Sequence, residues 1–88
     1  MGYNLDMKKI EWKNKAIKQL RKIPKPDRLH IETAVSALAE GFEFSDIKVL
    51  KNHMYHYRLR VARYRVLFNH CDEVVEIEEV KKRDESTY

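Results

Sequence analysis

The sequence predicts an α+β domain in which a short N-terminal strand and a two-helix hairpin pack on one face of a sheet of about three or four antiparallel strands. Three observations predict this fold. Apolar residues recur at helical spacing in two segments of the first half. A Pro-Lys-Pro-Asp break separates these segments. Through most of the second half, polar and apolar residues alternate with period two, which is typical of strands.

Length and composition predict a single domain. The chain has 88 residues, a formal charge of +4 and one cysteine, Cys71. We divide it into an N-terminal extension, residues 1–6, and one domain, residues 7–88. The positive charge favours a nucleic acid or an acidic protein as partner. A lone cysteine excludes an internal disulfide and predicts a cytoplasmic protein of a reducing compartment. No apolar run approaches the length of a membrane span, so we expect no membrane association.

The N-terminal half is predicted to hold one strand and two helices. Residues 7–12 are a short strand candidate. The apolar spacing predicts a first helix over residues 13–23. A second helix is expected to begin at Asp27, as its N-cap, and to run to about Glu40, with Gly41 as its stop signal.

The C-terminal half is predicted to hold the sheet. Residues 42–50 are expected to form a connection that apolar side chains tether to the core. These side chains are Phe42, Phe44, Ile47 and Leu50. Three successive antiparallel strands are then expected over residues 55–61, 64–70 and 73–80.

The first predicted hairpin places three arginines on one sheet face. With Ala62-Arg63 as a two-residue turn, Arg60 lies opposite Arg65, and Arg58 shares their face. The other face is apolar and carries Leu59, Val61, Tyr64, Val66 and Phe68. Like charges directly opposite each other are destabilising, so a face with three guanidiniums is expected to bind an anion. Because arginine binds phosphate bidentately, we predict an open, phosphate-binding and RNA-binding face.

The register of the second predicted hairpin determines which residues of the last strand lie opposite Arg65 and Val66. With Cys71-Asp72 as a two-residue turn, Arg65 falls opposite Glu78 and Val66 opposite Ile77. The alternative to a binding face is that the arginines are solvated strand residues paired with glutamates of the last strand. Surface ion pairs of that kind contribute little stability.

Other residues are predicted to serve the same face. Lys51, Lys81 and Lys82 are candidate RNA contacts, and the terminal Tyr88 could stack on an exposed base. His53 and His56 are candidate acid–base groups, because histidine titrates near neutrality. We expect no metal site, because no further ligand accompanies the two histidines at a suitable spacing. We expect no cofactor either, and the absence of a glycine-rich loop argues against nucleotide hydrolysis.

Five segments of the sequence carry a resemblance to a known family. They are residues 16–24, 48–53, 57–61, 64–68 and 78–84. The most specific is the Tyr-Arg-Val core of the second hairpin strand, and a terminal tyrosine completes the pattern. Together these segments resemble the RelE/ParE superfamily of bacterial type II toxins, over most of the chain from about Met7.

The resemblance implies a fold, an activity and partners. The fold is two helices packed on an antiparallel sheet. The activity is that of a ribosome-dependent endoribonuclease, an mRNA interferase that enters the 30S A site, where the 2′-OH attacks the adjacent phosphate without a metal. A cognate antitoxin neutralises the toxin, and the complex binds operator DNA through the antitoxin. The residues that match catalytic positions of RelE are Arg58, Arg60, Arg65, Arg83 and Tyr88, with Lys82 as an alternative to Arg83.

The sequence also departs from RelE. Arg58 and Arg60 stand where RelE has lysines, and arginine does not act readily as a general base. The base is therefore open, and the candidates are His53, His56 and Glu78. Many relatives have glycine in place of Ala62 at the hairpin turn, and arginine where this chain has Ser86. A ParE-like inhibitor of DNA gyrase, or an attenuated homologue that acts only in complex with its antitoxin, remains an alternative function.

Overall fold

The computed structural model describes residues 7–43 and 45–82. These residues form five strands and two helices. In chain order the elements are β1 (Lys9–Trp12), α1 (Asn14–Arg21), α2 (Lys25–Ala37), β2 (Ile47–Val49), β3 (Tyr57–Val61), β4 (Tyr64–Cys71) and β5 (Val74–Lys82). A short 3-10 turn, Leu38–Glu40, extends α2. The predicted N-terminal extension and the predicted tether Phe44 lie outside the described residues.

The sheet has the strand order β1-β5-β4-β3-β2. β1 runs parallel to β5, and the other neighbours are antiparallel. The predicted fold class is confirmed, because the helices pack against one face of this sheet. The sheet is larger than expected for two reasons. The N-terminal strand joins it as an edge, and the predicted connection contains β2, which pairs with β3 through Ile47 and Leu59.

Both helices are amphipathic, and their start and stop signals are only partly as predicted. Ala16 and Leu20, four residues apart, are the buried positions of α1. α2 begins before Asp27, after Pro24, so the prediction of Asp27 as N-cap is wrong. Asp27 lies in the first turn, where its negative charge suits the helix dipole, and its carboxylate accepts a hydrogen bond from the Tyr64 hydroxyl at 3.0 Å. Gly41 follows the 3-10 turn at φ 133, in the region that favours glycine, which confirms the stop signal.

The core lies between the helices and one face of β3, β4 and β5. Its largest fully buried side chain is Phe68. Every residue predicted for the apolar face of the first hairpin belongs to this core: Leu59, Val61, Tyr64, Val66 and Phe68. The helices contribute Ala16, Leu20, Ile31, Val35 and Leu38. Burial of side chains of this size contributes about 1.5–3 kcal/mol each, so the period-two pattern fixes which way β3 and β4 face.

The register of the first hairpin is confirmed. Arg60 pairs with Arg65 and Leu59 pairs with Val66. Ala62, the first turn residue, has φ 53. Its backbone therefore adopts the left-handed conformation that glycine tolerates better than alanine.

The register of the second hairpin is wrong in the sequence prediction. The turn is formed by Asp72 and Glu73, so the strands close one residue later than expected. A β-bulge then places an extra residue, Glu78, on β5. Together the later turn and the bulge put Lys81 opposite Arg65, where the sequence predicted Glu78.

Candidate functional site

Three cationic side chains lie next to one another across the sheet, away from the helices. Arg60 on β3 pairs with Arg65 on β4, which in turn pairs with Lys81 on β5. We call Arg60, Arg65 and Lys81 the basic row. Directly paired residues share one face of a sheet, and like charges in that position repel each other. The row therefore places three positive charges side by side, and acidic groups next to it, such as Asp46 at Arg60 and Glu79 at Lys81, offset part of the repulsion.

A second row on the same face is less exposed than predicted. It consists of Arg58, Leu67 and Glu79, which pair across β3, β4 and β5. Leu67 alternates with the core residues Val66 and Phe68, so it points away from the helices, yet it is only 2% exposed. The expectation of a fully open face is wrong, because a segment of the chain covers this second row.

The covering segment is residues 50–56, which we call the 50–56 loop. A hydrogen bond joins its two ends: the Leu50 N–H donates to the His56 carbonyl at 2.8 Å. The His56 N–H donates to Asn69 Oδ1 on β4 at 2.8 Å. The Tyr55 hydroxyl donates to Glu79 Oε2 on β5 at 2.9 Å. These bonds hold the loop over the sheet beside the basic row.

Glu79 is a buried carboxylate within this positive surface. It is 6% exposed. Besides Tyr55, its oxygens lie 3.3 Å from Lys15 Nζ and 3.7 Å from Lys81 Nζ. Burial by itself would raise the pKa of Glu79, but the hydrogen bonds from Tyr55 and Lys15 and the charge of Lys81 outweigh it and lower the pKa. Burial of the Tyr55 phenol and its hydrogen bond to Glu79 together raise the pKa of Tyr55 to about 12.

Sequence reasoning missed Glu79 because of the register. With the predicted turn, Glu79 falls opposite Tyr64, on the helix side of the sheet. The bulge at Glu78 moves it to the other face, opposite Leu67. One signal for this shift is present in the sequence: Val75, Ile77 and Val80 are buried, so the spacing of apolar residues changes from two to three between Ile77 and Val80.

The predicted acid–base candidates lie around the face rather than in the basic row. His53 and His56 are exposed residues of the 50–56 loop. The Tyr55 N–H donates to His53 Nδ1 at 3.1 Å, which orients that ring. Glu78, at the bulge, is half-buried and accepts a hydrogen bond from Asn69 Nδ2 at 3.4 Å.

The predicted lysine contacts are divided between two surfaces. Lys51 is exposed in the 50–56 loop, beside the face. Lys81 belongs to the basic row. Lys82 pairs with Tyr64, so the register places it on the helix side of the sheet. There it lines a pocket of about 440 Å³ whose wall also includes Ile23 and, from the edge of the basic row, Lys81.

One acidic residue neutralises part of the arginine face. Asp46, directly before β2, lies 3.3 Å from Arg58 Nη2 and 3.6 Å from Arg60 Nε. It therefore pairs with two of the three predicted arginines, in the role that sequence reasoning gave to glutamates of β5.

Two predicted site residues, Arg83 and Tyr88, lie outside the described residues. Within the described part of the chain, no three His, Cys, Asp or Glu side chains are grouped closely enough to hold a metal ion. None of the helices in this part is long and apolar enough to cross a membrane.

Comparison with known proteins relates this arrangement to solved structures. No protein-family model matches the sequence, and no curated protein is significantly similar to it. A chain of the RelBE2 toxin–antitoxin complex from Mycobacterium tuberculosis superposes with a TM-score of 0.75 at 22% identity, over 88% of this chain and 99% of that one. For the RelB-RelE complex from Methanococcus jannaschii, the TM-score is 0.73 at 20% identity, with coverages of 85% and 92%. For a free mutant of the E. coli toxin RelE, it is 0.72 at 20% identity, with coverages of 91% and 87%. The chain therefore has the fold of the RelE toxins, as the sequence motifs implied.

Proposed function

We propose that this protein is the toxin of a type II toxin–antitoxin system and that it acts as a ribosome-dependent endoribonuclease. The observation that carries the proposal is the basic row of Arg60, Arg65 and Lys81, on the sheet face of a RelE-like fold that is turned away from the helices. The solved structures with this fold include proteins named as RelE and YafQ toxins, some in complex with an antitoxin.

Cleavage of RNA by its own 2′-OH makes three demands. The hydroxyl must lose a proton, the phosphate must be stabilised as charge builds on its oxygens, and the leaving 5′-oxygen must gain a proton. Fixed cationic donors stabilise developing charge directly, since they need no reorganisation at the moment of reaction. We assign this role to the basic row, with Arg65 at its centre. Arg83 and Tyr88 are proposed to act beside it, as the resemblance to RelE implies.

The general base is proposed to come from the surroundings of the row. Arginine keeps its proton, so Arg58 and Arg60 are poor bases. His53 and His56 are exposed on the 50–56 loop and can reach bound RNA, and Glu78 is the carboxylate alternative. Glu79 is a poor candidate because its pKa is lowered and hydrogen-bond donors already occupy its oxygens. We assign it the role of holding Tyr55 and Lys81 in position.

The proposed partners follow from the same surface. A basic face that binds mRNA on the ribosome also suits an acidic segment of an antitoxin. We propose a cognate antitoxin that covers this face, and operator DNA that the complex binds through the antitoxin. Lys51 is proposed as a further RNA contact from the 50–56 loop. Lys82 lies on the helix side of the sheet, so it is proposed to contact RNA only where the RNA passes the end of β5.

Primer extension on a reporter mRNA tests the proposal. Purified protein is added to a cell-free translation reaction, with and without an inhibitor of initiation, beside Arg65→Ala. Arg21→Ala serves as the matched control, because Arg21 is an exposed arginine at the end of α1. We expect discrete cuts in the translated frame, lost in Arg65→Ala by about a hundredfold or more and retained in Arg21→Ala. Circular dichroism checks that the Arg65→Ala protein is folded.

Other outcomes separate the alternatives. Intact mRNA together with inhibited supercoiling by DNA gyrase would identify a ParE-like poison. Intact mRNA with normal translation and supercoiling would identify an attenuated homologue. A folded Arg65→Ala protein that cuts as well as the wild type would refute the role of the basic row.

A further inference from the structure

Asp46 is an acidic residue that lies beside the basic row, next to its β3 member Arg60. The Arg60 N–H donates to the Asp46 carbonyl at 3.0 Å, which places Asp46 beside Arg60 just before β2. Its two carboxylate oxygens contact different guanidiniums. Oδ1 lies 3.3 Å from Arg58 Nη2, and Oδ2 lies 3.6 Å from Arg60 Nε. One carboxylate thus bridges two arginines of the proposed RNA-binding face.

The two arginines differ in exposure, and therefore in how much a counter-charge stabilises each of them. The Arg58 side chain is only 10% exposed, and the Arg60 side chain is 44% exposed. The Arg58 Nε is buried and has no hydrogen-bond partner among the described residues. In residues 7–43 and 45–82, Asp46 is the acid that pairs with Arg58 or Arg60. A buried guanidinium without a counter-charge is costly, so Arg58 needs either Asp46 or another anion in its place.

Asp46 itself is accessible. Its side chain is 56% exposed, although that of its partner Arg58 is almost completely covered. Carboxylate and phosphate accept the same forked pairs of hydrogen bonds from arginine. The pair of Asp46 with Arg60 joins two exposed side chains, so it contributes little stability and is displaced at little cost. At the buried Arg58, an anion that replaces Asp46 must supply the counter-charge that Asp46 provides, which a phosphate would do.

We propose that Asp46 is an internal counter-anion that occupies a phosphate position between Arg58 and Arg60 and that RNA displaces when it binds. Asp46 stabilises the free protein by neutralising Arg58, and it lowers the affinity of the same site for phosphate. This inference rests on the proposed RNA-binding function of the face and adds an element of regulation to it.

The test is the charge-neutral substitution Asp46→Asn, compared with Asp72→Asn. Asp72 is an exposed residue of the β4–β5 turn with φ 56, a conformation that asparagine tolerates, so both variants gain the same net charge. Binding of a fluorescent 2′-O-methyl RNA oligonucleotide, which cannot be cleaved through its 2′ position, is measured by anisotropy. We expect Asp46→Asn to bind about two- to fivefold more tightly than the wild type. Asp72→Asn should bind like the wild type.

A second measurement does not depend on RNA. Thermal unfolding is followed with and without inorganic phosphate for the same three proteins. Without phosphate, Asp46→Asn should unfold at a lower temperature than the wild type, because Arg58 loses its counter-charge. Phosphate should raise the unfolding temperature of Asp46→Asn more than that of the other two proteins, because it binds only the folded state.

The outcomes distinguish this inference from the proposed function. Weaker RNA binding by Asp46→Asn would overturn it and show that Asp46 holds the arginines in place for RNA. Equal tightening in both variants would overturn it as an effect of net charge. Unchanged binding with lost cleavage would overturn it in favour of Asp46 as a general base. If no protein binds RNA but phosphate preferentially stabilises Asp46→Asn, the counter-anion is supported and the proposed function fails.

Discussion

Tyr55 shows how a single side chain can position parts of the candidate site. Its hydroxyl joins the 50–56 loop to Glu79, which also contacts Lys81 of the basic row. Because Glu79 is buried and ionised, each donor that it loses leaves part of its charge uncompensated. The position of the loop and that of Lys81 are therefore coupled through one carboxylate.

The substitution Tyr55→Phe tests this coupling. It removes one hydrogen bond to a charged acceptor, and we expect the free energy of unfolding to fall by about 1–2 kcal/mol near neutral pH. The pKa of Tyr55 is raised from 10.0 to about 12 in the folded protein, so its contribution is complete below pH 10 and is lost as the pH rises to about 12. The measurement is urea unfolding of both proteins over this range. A difference in stability that stays constant across it would contradict the assignment.

The substitution Ala62→Gly addresses backbone strain at the first hairpin turn. Ala62 has φ 53, where a Cβ costs about 1–2 kcal/mol. Glycine removes this cost but adds freedom to the unfolded chain, so we expect a net stabilisation of about 0.5–1 kcal/mol. Chemical denaturation measures the change. Arg63→Gly is the control, since Arg63 is not at positive φ and should gain no stability. A destabilised Ala62→Gly protein would show that the turn carries no such strain.

At the scale of strands, the two hairpins show what alternation can and cannot predict. β3 and β4 alternate without interruption, and their turn follows directly, so the sequence predicts the pairing of Arg60 with Arg65 correctly. β5 contains a bulge, which changes the side of the sheet on which later residues lie. The pairing of Lys81 with Arg65 could therefore not be obtained by counting residues from the turn.

The candidate site was likewise predictable only where it lies on regularly alternating strands. Its arginines are strand residues, and the period-two pattern places them on one face. Asp46, Tyr55 and Glu79 reach the same face through a very short edge strand, a loop and a bulge. Each of these depends on contacts between residues far apart in the sequence, which local periodicity does not encode.

At the scale of the whole molecule, the net charge of +4 is unevenly distributed. On one side, the basic row lies on the sheet; on another, the outer surface of α1 carries lysines and an arginine. Among these are Lys18 and Arg21, which are exposed. A net charge alone would attract RNA without orienting it, whereas phosphates bound at the row would have a fixed position.

Salt dependence distinguishes the row from general attraction. If four or five basic side chains contact phosphates of single-stranded RNA, log affinity should fall against log salt with a slope of about −3. Arg60→Ala should reduce that slope by about 0.7, because one contact is lost. Anisotropy titrations at several salt concentrations measure both values, with Arg21→Ala as control. A flat response, or an equal loss of slope in Arg21→Ala, would contradict the proposed face.

The parallel pairing of β1 with β5 has a consequence for the synthesis of this protein. Lys9 pairs with Val74 and Trp12 pairs with Ile77, so β1 is made before β5 but takes its place in the sheet only once β5 has formed. Pairings between such distant segments form late, because the intervening chain must first be ordered. The nascent chain cannot assemble the basic row either until Lys81 has left the exit tunnel. During synthesis, the surface proposed to act on ribosomes therefore does not exist until β5 has been made and has paired with β4.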